Sequence, residues 1–203
     1  LDLSAASVAG LGTGPTITEG VAELTKLHGS KVTLRPIEKA DYDRIISWSQ
    51  DMELMHYSDS SYPANREECE SWVASARSNH YKLRFGIALG TKLIGDIELD
   101  QITWRRGDAE LRIRIGERKL WDLGYGTDAV TALLDYAFNN LNLNRIYLKV
   151  YTDNLRAIKC YHKAGFKKEG KLTRTAFTQR EIYLMRILKH EHLARHQKLA
   201  SNN

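Results

Sequence analysis

The stretch Trp121-Asp122-Leu123-Gly124-Tyr125-Gly126-Thr127-Asp128-Ala129 constrains this chain more than any other. Residues 109–115 alternate in the manner of a strand and lead toward it, and residues 130–138 carry apolar side chains at helical spacing behind it. Two glycines one residue apart at the opening of a helix let main-chain N–H groups turn outward together. Those groups, with the positive end of the helix dipole, suit a phosphate or pyrophosphate. Taken alone, the Gly-x-Gly pattern also fits a plain strand-to-helix turn.

The bulk properties narrow the setting. A chain of 203 residues, 42% hydrophobic and 27% charged, is expected to form one globular domain with a sizeable core. No apolar run approaches the roughly 20 residues needed to span a bilayer. The first residues lack the basic segment and long apolar core of a signal peptide, so a cytoplasmic location is expected, with no membrane partner. Cys69 and Cys160 have no metal-ligand spacing and cannot make a disulfide framework, so they are expected as reduced thiols with no metal. The net charge of +5 suits nucleic acid, a phosphate-bearing cofactor or simply a basic surface. Acids interspersed among the bases disfavour nucleic acid.

Residues 1–30 differ from the rest, rich in Gly, Ser, Ala and Thr up to Gly20. They are expected to form a flexible leader, with a short helical turn over 21–27. The folded domain is expected over 31–188, beginning with a strand at 31–35 that Pro36 stops. Tyr42, Ile45, Ile46 and Ser49, joined by Trp48, mark one helix face. Residues 51–64 are expected as a loop, and Asn65 to Glu68 fits a capping box opening a helix with Cys69, Trp72, Val73 and Ala76. Strands are expected at 81–89, 93–99 and 109–115, joined tightly enough for an antiparallel meander. A helix must separate the strand at 145–151 from its predecessor, so those two can run parallel. Asn154 caps a further helix that Gly165 ends in the left-handed conformation. Residues 166–177 and 181–188 suggest a closing hairpin, and 189–203 a basic, His-rich solvated helix or tail. The order β-α-α-β-β-β-α-β-α-β-β describes an α/β (α+β) fold, a mixed, mostly antiparallel sheet flanked by helices.

This order, with Trp-x-x-Gly-x-Gly-Thr and the later Asn154-Leu155-Arg156-Ala157-Ile158-Lys159-Cys160-Tyr161-His162-Lys163-Ala164-Gly165-Phe166, resembles the GNAT superfamily of acyl-CoA-dependent N-acetyltransferases. Within it the chain looks most like the branch of ribosomal-protein alanine acetyltransferases (the Rim type). Trp121, where the common pattern has Gln or Arg, is similar to that branch. The resemblance implies acetyl-CoA as co-substrate, no metal, and as partner an amine acceptor, either a peptide or protein N-terminus or a small amine such as a polyamine or aminoglycoside, and leaves room for a homodimer. It implies that Leu123, Gly124, Tyr125, Gly126 and Thr127 hold the CoA pyrophosphate through main-chain N–H groups. The pantetheine arm would add like a strand between the main chain of Ile113 and Ile115 and the strand ending at Tyr151. Asn154 would contact the cofactor arm, or serve as helix cap, or both. Tyr161 would stand near the thioester sulfur, where a phenol can return a proton to the leaving thiolate, or be a core tyrosine on a helix face.

In the implied reaction an amine attacks the acetyl carbonyl directly, and an N–H near Ile115 is the expected oxyanion donor. The amine must be neutral. At pH 7 only about 4 in 10,000 amines of pKa about 10.4 are neutral, against roughly one in ten to one in six for an α-amine of pKa about 7.7–8.0. A general base therefore matters much more for a lysine-like acceptor. Glu110 is the candidate, directly or through water; Arg112 and Arg114 on the same strand face would weaken it, and a surface ion pair is its alternative role. The acceptor would enter over the first two helices and their loop, where Asp51, Glu53, Asp59, Glu67, Glu68 and Glu70 lie near Trp48, Tyr57 and Tyr62. Two other classes compete: an RNA- or ribosome-associated binding module, which lacks its motif here, and a CoA-binding regulator without catalysis.

Overall fold

A computed structural model describes residues 26–58, 60–173 and 180–200. Eight strands form one sheet in the order β1-β2-β3-β4-β5-β6-β8-β7. They are β1 (Leu27–His28), β2 (Thr33–Arg35), β3 (Leu83–Leu89), β4 (Lys92–Thr103), β5 (Asp108–Ile115), β6 (Arg145–Tyr151), β7 (Lys167–Thr173) and β8 (Glu181–Leu188). Every neighbouring pair is antiparallel except β5 and β6. The helices are α1 (Tyr42–Trp48), α2 (Met52–His56), α3 (Arg66–Arg77), α4 (Tyr125–Asn139), α5 (Leu155–Ala164) and α6 (Lys189–Ala200). This is the mixed, mostly antiparallel α/β architecture expected from the element order.

The two sheet faces follow the two-residue alternation of the strands. Phe85, Ile87, Ile97, Leu99 and Leu111 point to one face and pack with Val130, Leu133, Leu134 and Phe138 of α4 and with Tyr161 and Ala164 of α5. Each such large apolar side chain contributes about 1.5–3 kcal/mol on burial. On the other face Leu93 joins Ile45 and Trp48 of α1 and Cys69 and Val73 of α3. Half of the expected capping box forms: the Glu68 N–H donates to Asn65 Oδ1 at 2.9 Å, but Glu68 Oε2 accepts the N–H of Ala64, one residue before the cap, at 2.9 Å. Gly165 ends α5 at φ 102°.

Several elements depart from the sequence expectation. Leu27 and His28 are a strand paired with Leu34 and Thr33, where the leader and its helical turn were expected to end. The Asp128 carboxylate explains it, accepting the N–H groups of Ser30, Lys31 and Val32 at 2.9, 2.8 and 2.9 Å. The expectation for residues 1–25 lies outside the described residues, as do residues 174–177 of the expected hairpin. Residues 51–64, expected as a loop, contain α2, because the Asp51 side chain accepts the N–H groups of Glu53 and Leu54 and buries Leu54 behind them. β4 runs past Leu99 to Thr103 through a bulge. The C-terminal helix is not wholly solvated: His192 is 1% exposed, against Phe138. No helix among the described residues is long and apolar enough to cross a membrane.

Two tests follow from these anchors. Asp128→Ala leaves three main-chain donors without their acceptor and is expected to destabilise the protein by about 1–3 kcal/mol in urea unfolding. Glu191 of α6 loses some affinity for its charge to burial, yet Lys167, Arg186 and the Leu188 N–H outweigh that and hold its pKa down at about 2. Because the folded value is depressed, its contribution is present above the unfolded pKa of about 4.3 and is lost as pH falls toward 2. Glu191→Gln is therefore expected to flatten the fall in stability over that window, read by urea unfolding at successive pH values.

Candidate active site

β5 and β6 pair over only three residues, Asp108, Ala109 and Glu110 against Arg145, Ile146 and Tyr147. Beyond them β5 stays on β4, with Ile115 opposite Gly95, and β6 stays on β8, with Tyr151 opposite Ile182. The facing edges from Leu111 and from Leu148 onward therefore have no strand between them, and a cavity of about 610 Å³ opens there. It brings together Glu110, Ile113, Ile115, Gly124, Tyr125, Gly126, Thr127, Asn154 and Tyr161 on one wall system. The side chains of Ile113 and Ile115 are partly buried and pack on the core. Leu123 does not join the cavity: its side chain is 51% exposed, and its carbonyl accepts Lys31 Nζ at 3.1 Å.

The glycine turn closes the narrow end. Gly124 is the N-cap of α4 at φ 84°, a conformation a Cβ disfavours. The first main-chain bond of α4 runs from Asp128 N–H to Gly124 O at 3.0 Å. The N–H groups of Tyr125, Gly126 and Thr127 precede it and have no partner within the helix. Gly126 has a different reason to be glycine. A Cβ built there would lie 3.6 Å from Cys160 Sγ and 3.8 Å from Ile115 Cγ1, ordinary contact that the fold tolerates. The missing side chain leaves room for a guest, so an anionic cofactor head fits this turn. Trp121 braces it, its indole N–H donating to Ile115 O at 2.7 Å under the Arg156 guanidinium at 3.7 Å.

The opposite wall is α5. Asn154 Oδ1 accepts the Ala157 N–H at 3.2 Å, so Asn154 caps the helix while lining the cavity. Tyr161 is 6% exposed; burial, with the Cys160 thiol beside it, pushes its phenol well above the ordinary tyrosine range. It therefore stays protonated at neutral pH. Burial likewise raises the Cys160 thiol, against a hydrogen bond from Thr127 Oγ1 at 3.4 Å.

The wide end carries a charge network. Glu110 is 3% exposed, with Arg112 Nη2 at 3.3 Å and Lys149 Nζ at 3.4 Å. Arg114, expected beside Glu110, instead binds Asp96 at 3.0 Å and lies over the Tyr62 ring, because β4 presents Asp96 directly opposite it. Arg84 holds Glu98 at 2.6 Å and covers Trp72 at 3.9 Å. Sequence reasoning missed Asp96, Glu98, Arg84 and Trp72 as cavity residues; the alternation Asp96-Ile97-Glu98-Leu99-Asp100 was the signal that puts three acids on one face.

The acids expected around the acceptor entrance are mostly employed elsewhere. Asp51 caps α2 and binds Arg118 at 2.9 Å, Glu68 serves the α3 cap, and Glu70 pairs with Lys39 at 3.1 Å. Glu67 sits in the first turn of α3. Asp59 lies outside the described residues. Trp48 and Tyr62 are core residues, whereas Glu53 and Tyr57 line the cavity.

Strands that part to leave an open edge, with a glycine turn and a protonated tyrosine lining the same cavity, suit the class of acyl-CoA-dependent acyltransferases. The family model described as acetyltransferase (GNAT) domain matches residues 31–167, and the chain belongs to that family. A spermidine N(1)-acetyltransferase of Escherichia coli is 30% identical over 170 residues, covering 82% of this chain and 90% of that protein. Its counterpart in Vibrio cholerae is 29% identical over 170 residues, covering 82% and 98%. The crystal structure of spermidine N-acetyltransferase from Vibrio cholerae in complex with CoA and spermine superposes with a TM-score of 0.73 at 29% identity, covering 81% of this chain and 99% of that one. The chain is thus an acetyl-CoA-dependent N-acetyltransferase acting on an amine.

The two glycines are expected to separate on substitution. Gly126→Ala should leave thermal stability within about 0.5 kcal/mol of the parent while weakening CoA binding at least tenfold in calorimetric titration. Unchanged CoA affinity would move the pyrophosphate away from this turn.

Proposed function

We propose that the acceptor is an α-amine, that of a peptide or protein N-terminus, as the likeness to the ribosomal-protein alanine acetyltransferases implies. The observation that supports it is the pairing of four of the five carboxylates that line the cavity among the described residues, all but the exposed Asp122 beside the glycine turn. Asp96 is held by Arg114, Glu98 by Arg84, Glu110 by Arg112 and Lys149, and Glu53 by Arg118. An acceptor bearing several ammonium groups would need acids not already committed to arginine or lysine. A peptide α-amine brings a single cation and a main chain that offers hydrogen bonds.

Acetyl-CoA supplies the acyl group as a thioester; the chain's residues hold it and move the protons. The N–H groups of Tyr125, Gly126 and Thr127 receive the pyrophosphate, and the open β5 edge at Ile113 and Ile115, with Asn154, aligns the arm. Glu110 takes the proton of the attacking amine through water. Protonating it gives up both of its ion pairs, so it can assist an α-amine, of which roughly a tenth or more is already neutral at pH 7, better than a lysine-like one. Tyr161, protonated and buried, returns a proton to the departing thiolate.

A second reading has its own support in the spermidine N-acetyltransferase relatives, which make a polyamine the rival acceptor. Thiol release from acetyl-CoA decides between them, measured against N-terminal peptides, spermidine, aminoglycosides and free amino acids. The peptide is expected to give the highest kcat/KM, and a higher value with spermidine would overturn the α-amine assignment while leaving acyl transfer intact. Tyr161→Phe is expected to lower kcat about 100-fold with KM for acetyl-CoA unchanged. Glu110→Gln should slow the reaction mainly at pH values below about 8, where the α-ammonium form dominates; an unaltered pH–rate profile would remove the base role.

A further inference from the structure

Outside the cleft, three potential metal donors converge where α6 crosses α4. His192 and His196 stand one helical turn apart on α6, and Asp135 lies on α4. One donor atom from each of the three lies within 4.8 Å of the others. His192 Nε2 and His196 Nε2 approach the same oxygen, Asp135 Oδ1, at 2.7 and 3.3 Å. The two imidazole rings are 4.4 Å apart. None of the three lines the acyl-transfer cavity.

We propose that Asp135, His192 and His196 form a structural zinc site that staples the C-terminal helix to α4. Zinc bonds of about 2.0–2.2 Å to N and O place neighbouring ligand atoms of a tetrahedron roughly 3.3 Å apart. The His196–Asp135 separation already has that value, and the His192–Asp135 separation must open by about 0.6 Å. His192 is 1% exposed and its ring is fixed against Phe138, so one ligand is positioned before the ion arrives. Its Nδ1 is buried with no hydrogen-bond partner among the described residues, and holds the ring's single proton when Nε2 takes the metal. The side chains of Asp135 and His196 are 44% and 43% exposed, which gives the ion a path in and water the fourth position. Two imidazoles and one carboxylate select zinc or a neighbouring late transition ion over magnesium or calcium, which prefer oxygen alone.

The site matters mechanically because of what α6 holds. Arg195 of the same helix donates to the Lys163 carbonyl at the end of α5, the helix that carries Asn154 and Tyr161 to the cleft.

The test uses the untagged full chain, stripped with chelator and titrated with zinc by calorimetry. One zinc per chain is expected, with a rise in Tm of about 5–10 °C at a hundredfold excess over the dissociation constant. His196→Ala, at a half-exposed position that leaves the core intact, is expected to weaken binding at least tenfold and abolish the rise. Asp135→Asn should do likewise, and Mg²⁺ should produce no rise in either protein. Cobalt substitution gives an independent reading: strong visible d–d bands of a four-coordinate ion in the parent, and their loss in His196→Ala. No stoichiometric zinc binding by the parent, or equal affinity in both variants, would overturn the site.

Discussion

The parting of β5 from β6 after Glu110 and Tyr147 is the constraint on which the remaining site depends. Each strand is committed along its length to its other neighbour, β5 to β4 and β6 to β8. Twist then carries the two edges apart once their short parallel ladder ends. Unpaired main-chain groups are costly when buried and useful when a ligand can add as a strand. Trp121 reinforces the opening, because its indole takes the Ile115 carbonyl and ties the end of β5 to the glycine turn.

What surrounds that opening divides by charge and protonation. The glycine turn presents N–H groups at a helix start and the Lys31 ammonium held by the Leu123 carbonyl, while the nearby Asp128 carboxylate is spent on the Ser30–Val32 main chain. The wide end is a lattice of arginine–carboxylate pairs laid over aromatic rings. Paired buried charges contribute little net stability but fix geometry. They also commit Asp96, Glu98 and Glu110 to arginine and lysine partners. Burial keeps Tyr161 protonated, which leaves it a proton to give but makes it a weaker acid than a free phenol.

Much of this was legible from local patterns. Helix periodicity located α1, α3, α4 and α5, the Asn65–Glu68 pattern located the start of α3, and the two motifs located the turn before α4 and the cap of α5, which both line the cavity. The misses have physical causes. Leu27 and His28 form a strand only because Asp128, about a hundred residues away, fixes the main chain that follows. α2 is a five-residue helix, too short for a periodic signal and held by its cap and by burial of Leu54. Arg114 faces Asp96 rather than Glu110 because cross-strand register places Asp96 opposite it, and register cannot be read from β5 by itself.

The sequence by itself determined the strand–turn–helix unit with its two glycines and the capped helix bearing Tyr161. Those are local properties, decided by residue type at fixed spacing. The tertiary structure alone decided that Gly124 is glycine for its left-handed backbone, that a Cβ at Gly126 would meet only ordinary contacts, and that Glu110 lies between Arg112 and Lys149. It also turned two tail histidines toward an aspartate on another helix. All of these depend on which distant segments are brought side by side, and packing, not spacing, sets that.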